Sequence, residues 1–317
     1  MDLLKKISSS IMKKKIQNKI GVSRKFYPTQ LAIETVCDCN AKCIMCPSKN
    51  KQRAKGTMSI ETHKRIIDSV KSWGAPVNMI THAGMGEPLL DARLEEKISY
   101  EKNIFPEAQI IVYSNGSILS EKRGISLIDS GLDIISFSIN AFYENTYMAV
   151  MNLSREKVYS NVERFLELRR EKKSDMQVCV SLTKTDLCSD QEIKEYNDYW
   201  KDRVNSVIFP PWISWGGTFD HSIKGTQLPC LYIWQVLMVD YDGTVKMCCE
   251  DYDSRFPMGN ILDKNPDEIF NSKRMVDQRS AQLRGDFTWP NICRNCIETF
   301  QSAETYWKNS SPIPYNK

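Results

Sequence analysis

At 317 residues the chain is long enough for one large domain with a smaller companion, and its 41% hydrophobic and 26% charged residues are those of an ordinary soluble globular protein. No apolar run reaches the roughly 18 residues of a membrane span, and the Lys-rich start lacks the apolar stretch of a secretory signal, so a cytoplasmic location is expected. The net charge of +4 is uneven: residues 1–26 carry eight Lys/Arg against Asp2 alone, and the slightly acidic remainder argues against a nucleic-acid groove.

The leader, residues 1–28, spaces Ile7, Ile11, Ile16 and Ile20 at helical intervals and reads as a basic amphipathic helix. Its simplest role is a solvated helix that packs a few isoleucines on the main domain. From 29 to 211, strand-like runs at 31–36, 77–82, 109–114, 134–139, 177–182 and 207–209 alternate with helical patterns at 59–73, 90–102, 119–130, 144–170 and 190–201. This α/β alternation implies a parallel sheet with helices outside, closed or partly closed into a barrel, with reactive groups at the C-terminal ends of the strands. A Pro- and Gly-punctuated stretch at 210–218 then breaks the repeat and opens a second region, 212–317. There, runs at 231–239 and 244–248 flank Tyr241-Asp242-Gly243 as a β-hairpin signal, and a helix is predicted over 266–283.

Eleven cysteines cluster at both ends of this organisation, with only Cys179 and Cys188 between residues 47 and 229, which favours metal sites over scattered core thiols. Cys39, Cys43 and Cys46 form a C-x3-C-x2-C run just after the first strand. Iron–sulfur clusters are ordinarily held by four cysteines, so three on one loop would leave one iron open to a small molecule. Zinc would need a fourth ligand, and Cys37, two positions before Cys39, is an awkward reach. Further along, Gly84-Met85-Gly86-Glu87-Pro88 follows the second strand and Ser114-Asn115-Gly116 the third. In the fourth and fifth strands Ser136, Ser138 and Asn140, then Cys179, Ser181 and Thr183, alternate with apolar residues, which turns each polar set to one face. The second cysteine group is Cys230 and Cys248, as C-x12-G-x4-C through Gly243, with Cys293 and Cys296 as C-x2-C. Spacing alone leaves zinc and a second [4Fe–4S] cluster open for these four.

These motifs, in order on successive strands, resemble the radical S-adenosylmethionine (radical SAM) superfamily. The resemblance implies a partial (β/α)6 TIM-like barrel followed by a small twitch/SPASM-like β-hairpin and helix domain. It implies a SAM-binding [4Fe–4S] cluster on Cys39, Cys43 and Cys46, cleavage of SAM to a 5′-deoxyadenosyl radical, and abstraction of a hydrogen atom from the substrate. Met45 departs from the aromatic residue that many members carry. Gly84, Gly86 and Glu87 match the segment that meets the SAM ammonium, Ser114 and Asn115 the segment that contacts its ribose, and Ser138 and Ser181 are further SAM-contact candidates. The second group resembles the ligands of one auxiliary [4Fe–4S] cluster on Cys230, Cys248, Cys293 and Cys296, with Cys249 able to replace Cys248.

Aminocyclitol dehydrogenases of the 2-deoxy-scyllo-inosamine type share this arrangement. The expected reaction is therefore oxidation of a secondary alcohol on a sugar or aminocyclitol-like metabolite, with a flavodoxin- or ferredoxin-type donor supplying electrons. Modification of a ribosomally made precursor peptide, by thioether or carbon crosslinking, is the first alternative, and redox-neutral epimerisation through a spare thiol the second. His82 is a candidate base, Arg155 a candidate anion-binding group and Cys179 a candidate hydrogen donor, each with an ordinary structural role as its competitor. Trp212 and Trp215 are candidates to line a sugar site or to pack the domain junction.

Overall fold

The computed structural model describes residues 26–219, 227–296 and Thr299; the leader, apart from residues 26–28, lies outside them. Six strands, β1 (Gln30–Ile33), β2 (Met79–His82), β3 (Gln109–Ser114), β4 (Ile134–Ser138), β5 (Gln177–Ser181) and β6 (Ser206–Ile208), pair in parallel, each with the next in sequence. Helices α1 (Ile60–Trp73), α2 (Leu94–Ile104), α3 (Glu121–Asp129), α4 (Glu144–Met151), α5 (Arg155–Glu171) and α6 (Asp190–Trp200) connect them. Leu31, Ile33, Ile80, Val112, Ile135, Phe137, Val178 and Val180 are fully buried under these helices in one core. The register places Tyr113, Ser136 and Cys179 side by side on the opposite face, with Ser138 and Ser181 paired one step further on. The expected α/β partial barrel and its polar lumen are thus present.

Local chemistry explains most boundaries. Ser59 accepts the Thr62 amide at 3.0 Å to start α1, and Gly74, at φ +77, ends it. The single helix expected over 144–170 is two, because Asn152 takes the left-handed conformation (φ 54) after α4 and Ser154 caps α5. The helix expected over 266–283 also divides, into α8 (Pro266–Phe270) and α9 (Lys273–Arg284), with Ser272 capping the second. These follow α7 (Tyr232–Gln235), which occupies the start of the run read as a strand over 231–239.

The hairpin is real, but it is not a separate sheet. β7 (Val236–Val239) pairs in parallel with β1, in the register Gln30↔Val236, and turns through Gly243 into antiparallel β8 (Thr244–Lys246) and β9 (Pro257–Asn260). One nine-stranded sheet, ordered β6-β5-β4-β3-β2-β1-β7-β8-β9, therefore carries both cysteine groups.

His82 is not where a base would be useful. It shares the helix-facing side of β2 with Ile80, is fully buried, and binds Glu101 of α2 at 2.9 Å, while His63 of α1 binds the other Glu101 oxygen at 2.7 Å. Burial would raise the Glu101 carboxyl, but the His82 charge and hydrogen bonds from both histidines outweigh it and hold it down to about 2. A folded pKa below the unfolded value of about 4 means that the carboxylate stabilises the fold at neutral pH and loses that contribution as pH falls toward 2. Glu101→Gln is expected to cost about 3 kcal/mol at pH 7, a deficit that shrinks to nothing as pH approaches 2. Denaturant titrations across this range check it, and a deficit independent of pH would contradict the charge-based account.

Candidate functional site

The first cysteine loop leaves β1 and is fixed on two sides. Lys42 N–H bonds Met151 O at 3.1 Å and Ile44 N–H bonds Val150 O at 2.9 Å, which ties the loop to the end of α4. On the other side Glu87 N–H bonds Asp38 O at 2.8 Å, and Gly86 lies so close that a Cβ there would sit 1.9 Å from Val36 O. Ala41 and Met45 point into the protein, while Cys39, Cys43 and Cys46 remain partly accessible. Cys43 Sγ lies 3.3 Å from Met151 Sδ, and Asn115 Nδ2 reaches toward Cys39 Sγ at 4.0 Å while bonding Asn40 Oδ1 at 3.0 Å. Burial raises the Cys39 thiol to about 11, and burial together with Cys46 and Cys39 raises Cys43 further. A metal centre reverses this penalty, because its charge favours clustered thiolates. The fully buried Cys37 stands apart, with Glu34, Lys51 and Arg53 as its charged neighbours, and does not complete a zinc set.

The glycine segment works as a backplate. Met85 N–H bonds Glu34 Oε2 at 2.6 Å, and Gly84, at φ +155, makes room for that carboxylate. Glu87 is buried and already accepts from Leu89 N–H at 3.0 Å, Ser114 Oγ at 2.7 Å and Asn115 N–H at 2.7 Å. Burial raises its carboxyl, opposed by those donors. Glu87 thus joins the ends of β2 and β3, and its two oxygens are engaged by the chain itself. Ser114 is likewise turned to Glu87 and to Gly116 N–H.

Other candidates separate clearly. Ser138 and Ser181 are half-buried on the lumen face. Tyr113, on the same face, is 42% exposed, and enclosure by its surroundings and then Cys179 raise its phenol. Cys179 sits deeper, in a small apolar cluster with Ile111 and Ile134, where burial raises its thiol. Arg155 donates from its Nε to Phe142 O, and its guanidinium stacks on Tyr159 at 3.9 Å and Phe142 at 5.1 Å. Trp212 packs against Phe219 at 5.5 Å.

Sequence reasoning missed a buried charge network on the lumen side of β1 and β7. Arg53 bonds Glu34 at 2.5 Å and Asp240 at 3.2 Å, and Lys246 bonds Asp240 at 2.9 Å. Its only sequence signal was an acidic residue directly after each of two strands. Burial of Lys246 is outweighed by Asp240 and Glu34, so its ammonium is held above its ordinary range.

The second group forms a pocket. Cys230, Cys248, Cys293 and Cys296, all buried, line one cavity with Cys249, Glu250, Gln282 and Thr299. Burial raises the Cys248 thiol, followed by the neighbouring thiols of Cys293 and Cys230. Burial raises Cys296, followed by Glu250, Cys230 and Cys249. These thiols surround one space. Consecutive residues link the two groups: Trp215 Nε1 donates to Met45 O at 3.0 Å, and Gly216 N–H to Glu250 Oε2 at 2.7 Å.

Comparison with known proteins agrees with this geometry. Residues 33–186 match the model of the radical SAM superfamily, and residues 230–297 that of the SPASM iron–sulfur cluster-binding domain. The chain thus carries a radical SAM domain followed by a SPASM domain. An S-adenosyl-L-methionine-dependent 2-deoxy-scyllo-inosamine dehydrogenase from Niallia circulans is 22% identical over 286 residues, covering 88% of this chain and 96% of the relative. The structure of BtrN with AdoMet and 2-DOIA superposes with a TM-score of 0.62 at 20% identity, over 87% of this chain and 96% of that one. Streptococcus suis SuiB bound to precursor peptide SuiA gives 0.65 at 12% identity, over 86% and 70%.

The radical SAM and SPASM domains are those of an enzyme that uses SAM, a SAM-binding [4Fe–4S] cluster and an auxiliary iron–sulfur cluster. Among its described residues no helix is long and apolar enough to cross a membrane.

Proposed function

We propose that Cys39, Cys43 and Cys46 hold the SAM-binding cluster, that Cys230, Cys248, Cys293 and Cys296 hold the auxiliary cluster, and that the enzyme oxidises a secondary alcohol of a sugar or aminocyclitol-like metabolite in the cytoplasm. The observation that carries this reading is the second cavity, where four buried thiols can satisfy every iron of a cluster. A fully ligated cluster exchanges electrons and leaves no position for substrate. When bound, SAM and its cluster supply a hydrogen-atom abstractor, and the auxiliary cluster supplies an acceptor for the electron left on the substrate carbon.

The chain's own residues then have distinct tasks. The backplate of Gly84–Glu87 and the end of α4 hold the first cysteine loop in place. Tyr113, Ser136, Ser138 and Ser181 offer hydroxyls along the lumen face, suited to a polar substrate or the SAM ribose. The Arg53–Glu34–Asp240–Lys246 network locks β1 to the β7–β8 hairpin, so the two cysteine groups keep a fixed relation. A flavodoxin- or ferredoxin-type protein serves as the reductant in this reading. Oxidation to a ketone would take one hydrogen atom from the carbon to the 5′-deoxyadenosyl radical, one proton from the hydroxyl to water or a base, and one electron to the auxiliary cluster.

Reconstituted enzyme incubated anaerobically with SAM, reductant and candidate aminocyclitols in deuterated water is expected to give a ketone and one 5′-deoxyadenosine per turnover. Deuterium at an inverted carbon would replace this reading with epimerisation. The second reading, thioether or carbon crosslinking of a ribosomal peptide, draws support from the likeness to peptide-bound SuiB. Turnover of a peptide with no ketone from any aminocyclitol would select it.

A further inference from the structure

Helix α9 carries two glutamines, Gln278 and Gln282, that are buried on one face four residues apart, at 1% and 0% exposure. A buried primary amide is costly unless its hydrogen-bonding groups are used. Both side chains direct their Nε2 to the same atom, Cys293 Sγ, each at 3.6 Å. The orientation of Gln282 is fixed independently, because its Oε1 accepts the Cys230 N–H at 2.8 Å. One helix therefore contacts cysteines from both halves of the second group, through the backbone of one and the sulfur of the other.

Two N–H donors on one sulfur match a thiolate, which accepts strongly, far better than a neutral thiol, which is a weak acceptor. Donation to a cluster sulfur withdraws charge, and it does so with most effect when the cluster is reduced and more negative. Hydrogen bonds to sulfur are among the factors that set an iron–sulfur potential, and such outer contacts tune a metal site without touching the metal.

We propose that Gln278 and Gln282 are positioning residues that raise the reduction potential of the auxiliary cluster through paired hydrogen bonds to Cys293 Sγ, so that it accepts an electron more readily. This rests on Cys293 being a cluster ligand, as assigned above. It does not depend on which substrate is oxidised.

Gln278 supplies the deciding variant, since its Nε2 donates to the Cys293 sulfur and its Oε1 has no hydrogen-bond partner among the described residues. Gln282→Leu also frees the Cys230 amide, so it serves as the second variant. The holoenzyme is reconstituted, its iron counted, and the auxiliary cluster followed by electron paramagnetic resonance as the signal that added SAM leaves unchanged, under potentiometric titration. Gln278→Leu is expected to keep its iron and bind the electron about tenfold more weakly, a downward shift of about 59 mV for a one-electron couple. Gln278→Glu, which keeps the shape and replaces the donor by a negative charge, should shift it further down. The potential of the SAM-binding cluster should not move. Full iron with an unchanged auxiliary potential in Gln278→Leu overturns the proposal. Cys293→Ala that retains all auxiliary iron overturns the ligand assignment beneath it, and the two failures are told apart by the iron count.

Discussion

Replacing Cys43 with alanine is expected to abolish cleavage of SAM and to lower the iron content of reconstituted protein from about eight to about four per chain. The reason is local and severe. Cys43 occupies the middle of the loop, between Lys42 and Ile44, whose amides are fixed to Met151 and Val150. Cys37, the neighbouring cysteine outside the triplet, is fully buried with its own N–H bonded to Gly56 O at 2.8 Å, so it does not substitute. With two thiols left, the loop cannot hold three irons, and the remaining four should belong to the auxiliary cluster. Iron and sulfide analysis with product detection for 5′-deoxyadenosine checks both halves. Residual SAM cleavage would displace Cys43 from the assigned set, and a fall to zero iron would show that the two centres do not assemble independently.

The same site shows what could and could not be read from the sequence. The cysteine triplet was legible because its ligands are separated by only a few residues on one loop, and the strand-end motifs because each follows a clear apolar run. Helix α1 was read to within a residue, since Ser59 and Gly74 mark its ends with specific capping chemistry. The breaks at Asn152 and at Asn271–Ser272 were missed, because amphipathic periodicity continues across both and only the caps reveal them.

Long-range pairing was harder still. Nothing local to 236–239 says that this strand joins β1, more than two hundred positions away, and Pro257 and Gly259 disguise β9 as a loop. His82 was legible in part, since period-two counting from Ile80 already places it on the helix side. Glu87 was not: its spacing fits a ligand contact, and only the structure shows that Ser114, Asn115 and Leu89 occupy its oxygens. The glutamines of α9 had a signal in hindsight, because two amides four residues apart share a face with Met275, which is buried.

Gly86→Ala is the second substitution with a large expected effect, and its cause is steric. A Cβ at this position would lie 1.9 Å from Val36 O, 2.7 Å from Val36 C and 2.8 Å from Asp38 O. All three are backbone atoms of the segment that leads into Cys39, so relief requires moving the cysteine loop itself. It would also break the Glu87 N–H bond to Asp38 O. Overpacking typically costs about 1–3 kcal/mol where side chains can yield; here the obstacle is main chain, and the loss should reach or exceed the top of that range. Gly74→Ala is the matched control. Gly74 has open space around its missing Cβ and a left-handed φ of +77, so the substitution costs conformational strain of about 1 kcal/mol. Thermal unfolding and iron analysis of the two variants should diverge: Gly74→Ala keeps about eight irons with a modest loss of stability, whereas Gly86→Ala loses the SAM-binding four. If Gly86→Ala retained full iron yet lost SAM cleavage, the glycine segment would not be the support of the cysteine loop, and direct contact with SAM would become the better account of its glycines.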